Sequence, residues 1–183
     1  MIKHSKRAPG RHYFLLIALV PVFLLTACAG TVEKVIGNEP IVTLADLQPL
    51  AGENWKGSLT YLNFQEPFKY FTIPAELEVS VIDTEERKGI ELSYRYPEEP
   101  QANSKSTILL SANGRMLGAE TVVERADEDG ELRIVTRFDC IDNEVDASCS
   151  VTYRMSPSTF TFTKTVTVGE EDAFRRNEFS FTR

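Results

Sequence analysis

The chain has 183 residues, of which 42% are hydrophobic and 10% aromatic, and its formal net charge is −7. This length predicts one globular domain, and the composition excludes a wholly disordered chain. The acidic balance argues against nucleic acid as a partner, because few cations are available to neutralise phosphates.

The first 27 residues have the organisation of a secretory signal peptide. Lys3, Lys6, Arg7 and Arg11 precede an apolar run at 13–25, and small residues follow it. The run is short for a membrane-spanning helix, which needs about 20 residues. The pattern therefore favours export with cleavage, and a signal anchor is the alternative.

The last residues of this segment, Leu25-Thr26-Ala27-Cys28, resemble the lipobox of bacterial lipoproteins. The resemblance implies a diacylglyceryl thioether on Cys28, cleavage before it and acylation of the new amino terminus. Several acyl chains anchor a protein stably to a membrane, where a single chain does not. Because Ala29 rather than an aspartate follows the cysteine, the resemblance also implies the periplasmic face of the outer membrane.

Cleavage would change the chemistry that remains. The segment holds four of the 20 basic residues, none of the 27 acidic ones, and both histidines, His4 and His12. The mature chain would then have a net charge of −11 and no histidine, which excludes Ser-His-Asp or Cys-His catalysis, His-ligated haem and His-containing zinc sites. We predict a protein that is not an enzyme and that needs no cofactor or metal. The alternatives are paired acidic side chains acting as a glycosidase, or Asp142, Asn143, Glu144 and Asp146 holding a calcium ion.

Two cysteines remain after lipidation, Cys140 and Cys149. A pair of cysteines in an oxidising compartment predicts a disulfide. The alternative is two free thiols or a redox pair, although the eight residues between them are not the Cys-x-x-Cys spacing.

From Lys56 onward the hydrophobic pattern has a period of two, which predicts β-strands. Segments in which apolar and polar residues alternate include 77–81, 90–96, 132–140, 149–155, 159–168 and 178–182. Turn signals separate them, the strongest being Asn113-Gly114. Before them, Thr43 is a predicted N-cap of a short helical turn that Pro49 ends. We therefore predict an all-β antiparallel meander of eight or nine strands, which forms a small closed barrel, with a sandwich as the alternative. The predicted organisation is a signal peptide at 1–27, a lipid anchor, tether and helical turn at 28–50, and the barrel at 51–183.

The start of this region, Gly52-Glu-Asn-Trp55, resembles the first strand of a lipocalin-type (calycin-like) barrel. In that family a Gly-x-Trp motif closes the barrel floor, and an arginine from the last strand packs over the tryptophan. The resemblance implies that Arg183, in phase with Phe179 and Phe181, covers Trp55. Here two residues rather than one separate the glycine from the tryptophan.

If the strands form one barrel, a set of aromatic side chains points inward. These rings either fill the interior or line a cavity for one small lipophilic ligand. The candidate ligand-binding residues are Tyr61, Tyr94, Tyr96, Phe138, Tyr153, Phe160 and Phe162. Lys164 interrupts an apolar face, so that it either binds an anionic head group or extends its ammonium to the rim. The sequence predicts a lipid-anchored periplasmic protein that binds an apolar or amphipathic molecule; the alternative is an acidic module with a filled core that binds a cationic protein.

Overall fold

The computed structural model describes residues 39–65 and 68–183. The predicted signal peptide, the predicted lipid attachment at Cys28 and the tether as far as residue 38 lie outside the described residues. Within them, a short helix α1 (Leu44–Leu47) and a 3₁₀ turn (Gln48–Leu50) precede ten strands. The strands are β1 (Gly52–Asn63), β2 (Lys69–Asp83), β3 (Lys88–Arg95), β4 (Ser104–Leu109), β5 (Met116–Leu117), β6 (Glu120–Glu128), β7 (Glu131–Asp142), β8 (Val145–Met155), β9 (Thr159–Thr167) and β10 (Phe174–Thr182).

The predicted all-β antiparallel meander is confirmed. The strands belong to one sheet in the order β4-β3-β2-β1-β10-β9-β8-β7-β6-β5. The two ends of this order meet in the hairpin around Asn113-Gly114, where Leu110 pairs with Leu117, so that the sheet forms a nearly closed barrel. The strand count exceeds the predicted eight or nine; one of the strands, β5, is two residues long, which is too short for an alternation to show in the sequence.

Alternation along the paired strands builds rows of inward side chains that cross the sheet. Two such rows contain mainly large apolar residues, and most of their members are buried. One row is Leu132, Met155, Phe160, Phe181, Gly57 and Ala75, and the next is Ile134, Tyr153, Phe162, Phe179, Leu59 and Ile73. Gly57 must be a glycine, because a Cβ there would lie 1.8 Å from the backbone oxygen of Ser180.

The barrel end at which β1 begins is sealed, and we call it the plugged end. Leu47 and Leu50 are buried there against Trp55, whose side chain is 0% exposed. The Trp55 indole donates a hydrogen bond from Nε1 to the Leu50 carbonyl at 2.9 Å. At the entry to α1, the Asp46 carboxylate accepts hydrogen bonds from the Thr43 backbone and hydroxyl and forms an ion pair with Arg125 on β6. The predicted cap at Thr43 is present, and a strand side chain holds it in place.

Arg183 lies over Trp55, with its guanidinium carbon 4.3 Å from the ring centroid. It donates hydrogen bonds to three backbone carbonyls, those of Pro49 at 2.7 Å, Ala51 at 2.8 Å and Pro157 at 2.9 Å. One side chain therefore joins the 3₁₀ turn, the start of β1 and the β8–β9 connection.

A β-bulge explains the unusual spacing between Gly52 and Trp55. Gly52 pairs with Val79 and Trp55 pairs with Leu77, so three steps along β1 match two along β2. Asn54, with a φ of 72°, adopts the left-handed conformation that accommodates the extra residue. The bulge absorbs the extra residue. Trp55 therefore pairs with the same β2 residue, Leu77, that it would reach if a single residue separated it from Gly52.

The predicted disulfide between Cys140 and Cys149 is confirmed. The segment between the cysteines differs from the loop that the sequence suggested. The β7–β8 ladder continues to the pair Asp142–Val145, and Asn143 and Glu144, both with positive φ, form a two-residue turn. The disulfide therefore connects two strands that are already paired.

Candidate binding site in the far half of the barrel

The candidate site is built by a third inward row, farther from the plugged end. Its members include apolar, polar and charged residues. Four of them are partly or largely accessible to solvent: Lys164, Asn177, Tyr61 and Phe71. The full row is Val122, Thr136, Val151, Lys164, Asn177, Tyr61 and Phe71. Because its residues face the interior, their accessibility indicates that solvent reaches this part of the barrel, which we call the far half.

Lys164 is the cation of this row. It shares the face of β9 with the core residues Phe160 and Phe162, and it pairs with Val151 and Asn177. Its Nζ lies 5.9 Å from the Phe138 ring centroid, on the row above. Among the described residues, no carboxylate oxygen lies within 4 Å of Nζ. The ammonium thus lies near one aromatic ring, on the side of the row that faces away from the plugged end.

Glu120 is an inward carboxylate that the sequence analysis did not single out. Its Oε2 accepts hydrogen bonds from the Thr136 hydroxyl at 2.6 Å and from the Tyr153 hydroxyl at 3.1 Å. Burial raises the pKa of Tyr153 well above its ordinary value, and the neighbouring Glu120 raises it further. Tyr153 therefore remains a neutral donor. The signal for Glu120 was its position two residues before Val122, on the apolar face of β6.

The candidate ligand-binding residues are divided between a filled part and an accessible part. Tyr94 packs on Phe179 with centroids 5.1 Å apart, and Phe162 stacks on Phe179 at 4.5 Å. Burial raises the pKa of Tyr94, so its hydroxyl also stays neutral. Tyr94, Tyr96, Tyr153 and Phe160 are buried, whereas Tyr61, Phe138 and Phe162 are partly accessible. The first group fills the interior, and only the second group is available to a ligand.

An ion pair connects two hairpins above this row. Arg176 on β10 donates hydrogen bonds to the Asp142 carboxylate at 3.0 Å and to the Leu62 carbonyl at 2.6 Å. Its guanidinium also lies 4.6 Å from the Phe64 centroid. Arg176 therefore fixes the end of β7 to the end of β1 at the mouth of the far half.

The adjacent acidic pairs considered for glycosidase chemistry lie in strand connections or at a strand end. Glu85, Glu86, Glu98 and Glu99 lie in connections between strands, while Asp127 and Glu128 end β6. Among residues 39–65 and 68–183, no group of three or more metal-ligating side chains is arranged to hold an ion. In the same residues, no helix has the length and apolar character to cross a membrane.

No protein-family model matches the chain, and no curated protein matches it.

Proposed function

We propose that this protein is a lipid-anchored binding protein of the bacterial envelope, with a lipocalin-like barrel that holds a small amphipathic molecule in its far half. The observation that carries the proposal is the accessible inward row around Lys164. Below it the interior is filled and sealed, so a ligand would contact Phe162, whose ring packs on the buried rings of Tyr94 and Phe179. Ligand sites of this kind combine apolar walls with a few polar groups that fix orientation.

The polar groups indicate what the ligand would be. Lys164 supplies a positive charge beside the Phe138 ring, which suits an anionic head group on an apolar body. Tyr61 and Asn177, its neighbours across the row, add hydrogen-bonding groups, and Phe71 stacks on Tyr61 at 6.1 Å. The lipobox at Cys28 and the signal peptide support a periplasmic location at the outer membrane, as the resemblance implies.

Native mass spectrometry of the full chain, expressed with its own signal and extracted in a detergent of known mass, tests the proposal. We expect an additional mass that disappears on denaturation, while the covalent lipid on Cys28 remains. Lys164→Gln should lower the occupied fraction, whereas Lys105→Gln, on the outer face beside Glu91, should leave it unchanged. Equal native and denatured masses in the wild-type protein would contradict the proposal.

A second candidate is an acidic interaction module that binds a cationic protein. The filled interior beside the plugged end favours it, since that half needs no ligand for its stability. The expected net charge of −11 after cleavage would attract cationic partners in a salt-dependent manner. Retention of a basic protein at low salt, with an empty barrel, would favour this candidate over the first.

A further inference from the structure

The ring of strands is incomplete at one place in the far half. The short strand β5 lies between the end of β4 and the start of β6. The next strand, β7, continues past both β5 and β6. Residues 104–108 of β4 pair with β3 on one side, and residues 138–142 of β7 pair with β8 on one side. Among the described residues, no strand pairs with the other edge of either segment. We call the gap between these two edges the lateral cleft.

The two edges of the lateral cleft differ in how they are protected. An unpaired edge presents a row of backbone donors and acceptors that another chain can use, and lysines on an edge commonly prevent this. The β4 edge carries Lys105, held by Glu91 at 2.7 Å, together with exposed serines and a threonine. The β7 edge carries neither lysine nor proline, and its Ile141 is 72% exposed. The β7 edge is therefore the one suited to pairing.

A concavity of about 500 Å³ lies beside the β7 edge. Its lining consists of Ala119, Thr121 and Val123 from the β5–β6 region, Arg137, Phe138 and Asp139 from β7, and Ser148 from β8. Val123 is the bulged residue of β6 and is 40% exposed. The bulge thus leaves a recess with both apolar and polar walls at the position where the first side chains of an added strand would lie.

We propose that residues 138–142 of β7 receive an extended, basic and apolar segment of a partner protein as an added strand. Along this edge and its turn, the acidic Asp139, Glu144 and Asp146 outnumber the basic Arg137, which favours a cationic segment. Main-chain hydrogen bonds would supply affinity, and alternate side chains would enter the recess or approach Asp139. A second copy of the chain is disfavoured, because pairing two β7 edges would bring the same carboxylates together. This edge borders the ligand site of the proposed function at Phe138, but the added strand would bind main-chain groups of β7 and not Lys164.

The test uses the full chain in non-ionic detergent and a fluorescent peptide of five Lys-Val repeats as the probe. Binding is followed by fluorescence anisotropy, and a peptide of five Glu-Val repeats is the control. Amide hydrogen exchange locates the contact. Asp139→Lys changes the charge at the edge. Glu128→Lys makes the same change at the exposed β6–β7 turn, which lies at the opposite end of β7. Sedimentation gives the oligomeric state.

We expect saturable binding of the Lys-Val peptide with slower exchange at 138–142. Asp139→Lys should weaken this binding about tenfold, the effect of losing one close charge pair, whereas Glu128→Lys should change it less than twofold. Equal weakening by both variants would overturn the proposal, because the attraction would then come from net charge alone. The proposal would also be overturned if the Lys-Val peptide did not bind, or if the Glu-Val peptide bound equally well. Protection of the amides of another strand would overturn it too, as would a dimer in which the 138–142 amides are already protected.

Discussion

The two halves of this barrel use inward-facing residues differently. At the plugged end, Trp55 is sealed between α1, the 3₁₀ turn and Arg183, and every polar atom that we describe there has a backbone or side-chain partner. In the far half, Lys164, Asn177 and Tyr61 occupy equivalent inward positions but remain partly accessible. The same alternation therefore produces a stabilising core in one half and a candidate binding surface in the other.

The largest expected effect is at the tryptophan. Trp55→Ala should lower the free energy of unfolding by about 3–5 kcal/mol, because it empties a fully buried site. Phe71→Ala, at an inward ring that is 37% exposed in the far half, should cost about 1 kcal/mol or less. Denaturant unfolding measures both. Equal losses would mean that the two halves do not differ in packing.

Reduction of the Cys140–Cys149 disulfide should have the next largest effect. The chain-entropy model gives about 2.5–3 kcal/mol for a loop of this length. Because the bridge lies on β7 and β8 away from the plug, exchange of the amides near residues 136–142 should increase first. Trp55 emission should remain that of a buried indole. An early change in Trp55 emission would contradict the separation between the two halves.

Arg183→Met should lower the free energy of unfolding by about 1–2 kcal/mol, through loss of three charge-assisted hydrogen bonds and the contact with Trp55. Arg183→Lys should recover only part of this loss, since an ammonium lacks the planar fork that reaches separate carbonyls. Arg87→Met, at an exposed turn, is the control. Thermal unfolding of the three variants distinguishes these outcomes.

Asp46→Asn should have the smallest effect, about 1 kcal/mol at neutral pH. Burial tends to raise the pKa of Asp46, but hydrogen bonds from Arg125 and Thr43 outweigh it, so that the pKa lies below its ordinary value of 3.8. The stabilisation is therefore present above that value and is lost as the pH falls through the lower, folded-state pKa. The difference between wild type and Asp46→Asn should vanish in strong acid. A difference that persists there would indicate that the charge is not the cause.

Much of the plugged end was predictable from the sequence, and less of the far half was. The strand alternation predicted the meander, and a pair of cysteines in an expected oxidising compartment predicted the bridge. The resemblance implied the Trp55–Arg183 contact, although the bulge at Asn54 has no clear sequence signal. Three features of the far half depend on where strand pairing stops: the short β5, the bulge at Val123 and the resulting lateral cleft. An alternation of apolar and polar residues indicates a strand but does not show where its pairing ends. For the same reason the grouping of Glu120, Thr136 and Tyr153 appeared only with the strand register.

Titration with an anionic naphthalene sulfonate dye tests the difference between the halves most directly. The dye has an apolar body and one negative charge, and Trp55 is the single tryptophan of the chain, so its emission reports on the plugged end during the same titration. We predict saturable binding of one dye molecule, weakened by Lys164→Gln and unchanged by Lys105→Gln, while Trp55 stays inaccessible to a soluble quencher. Three results would contradict an accessible far half above a sealed plug. These are no dye binding, equal weakening by both variants, or exposure of Trp55 to the quencher during the titration.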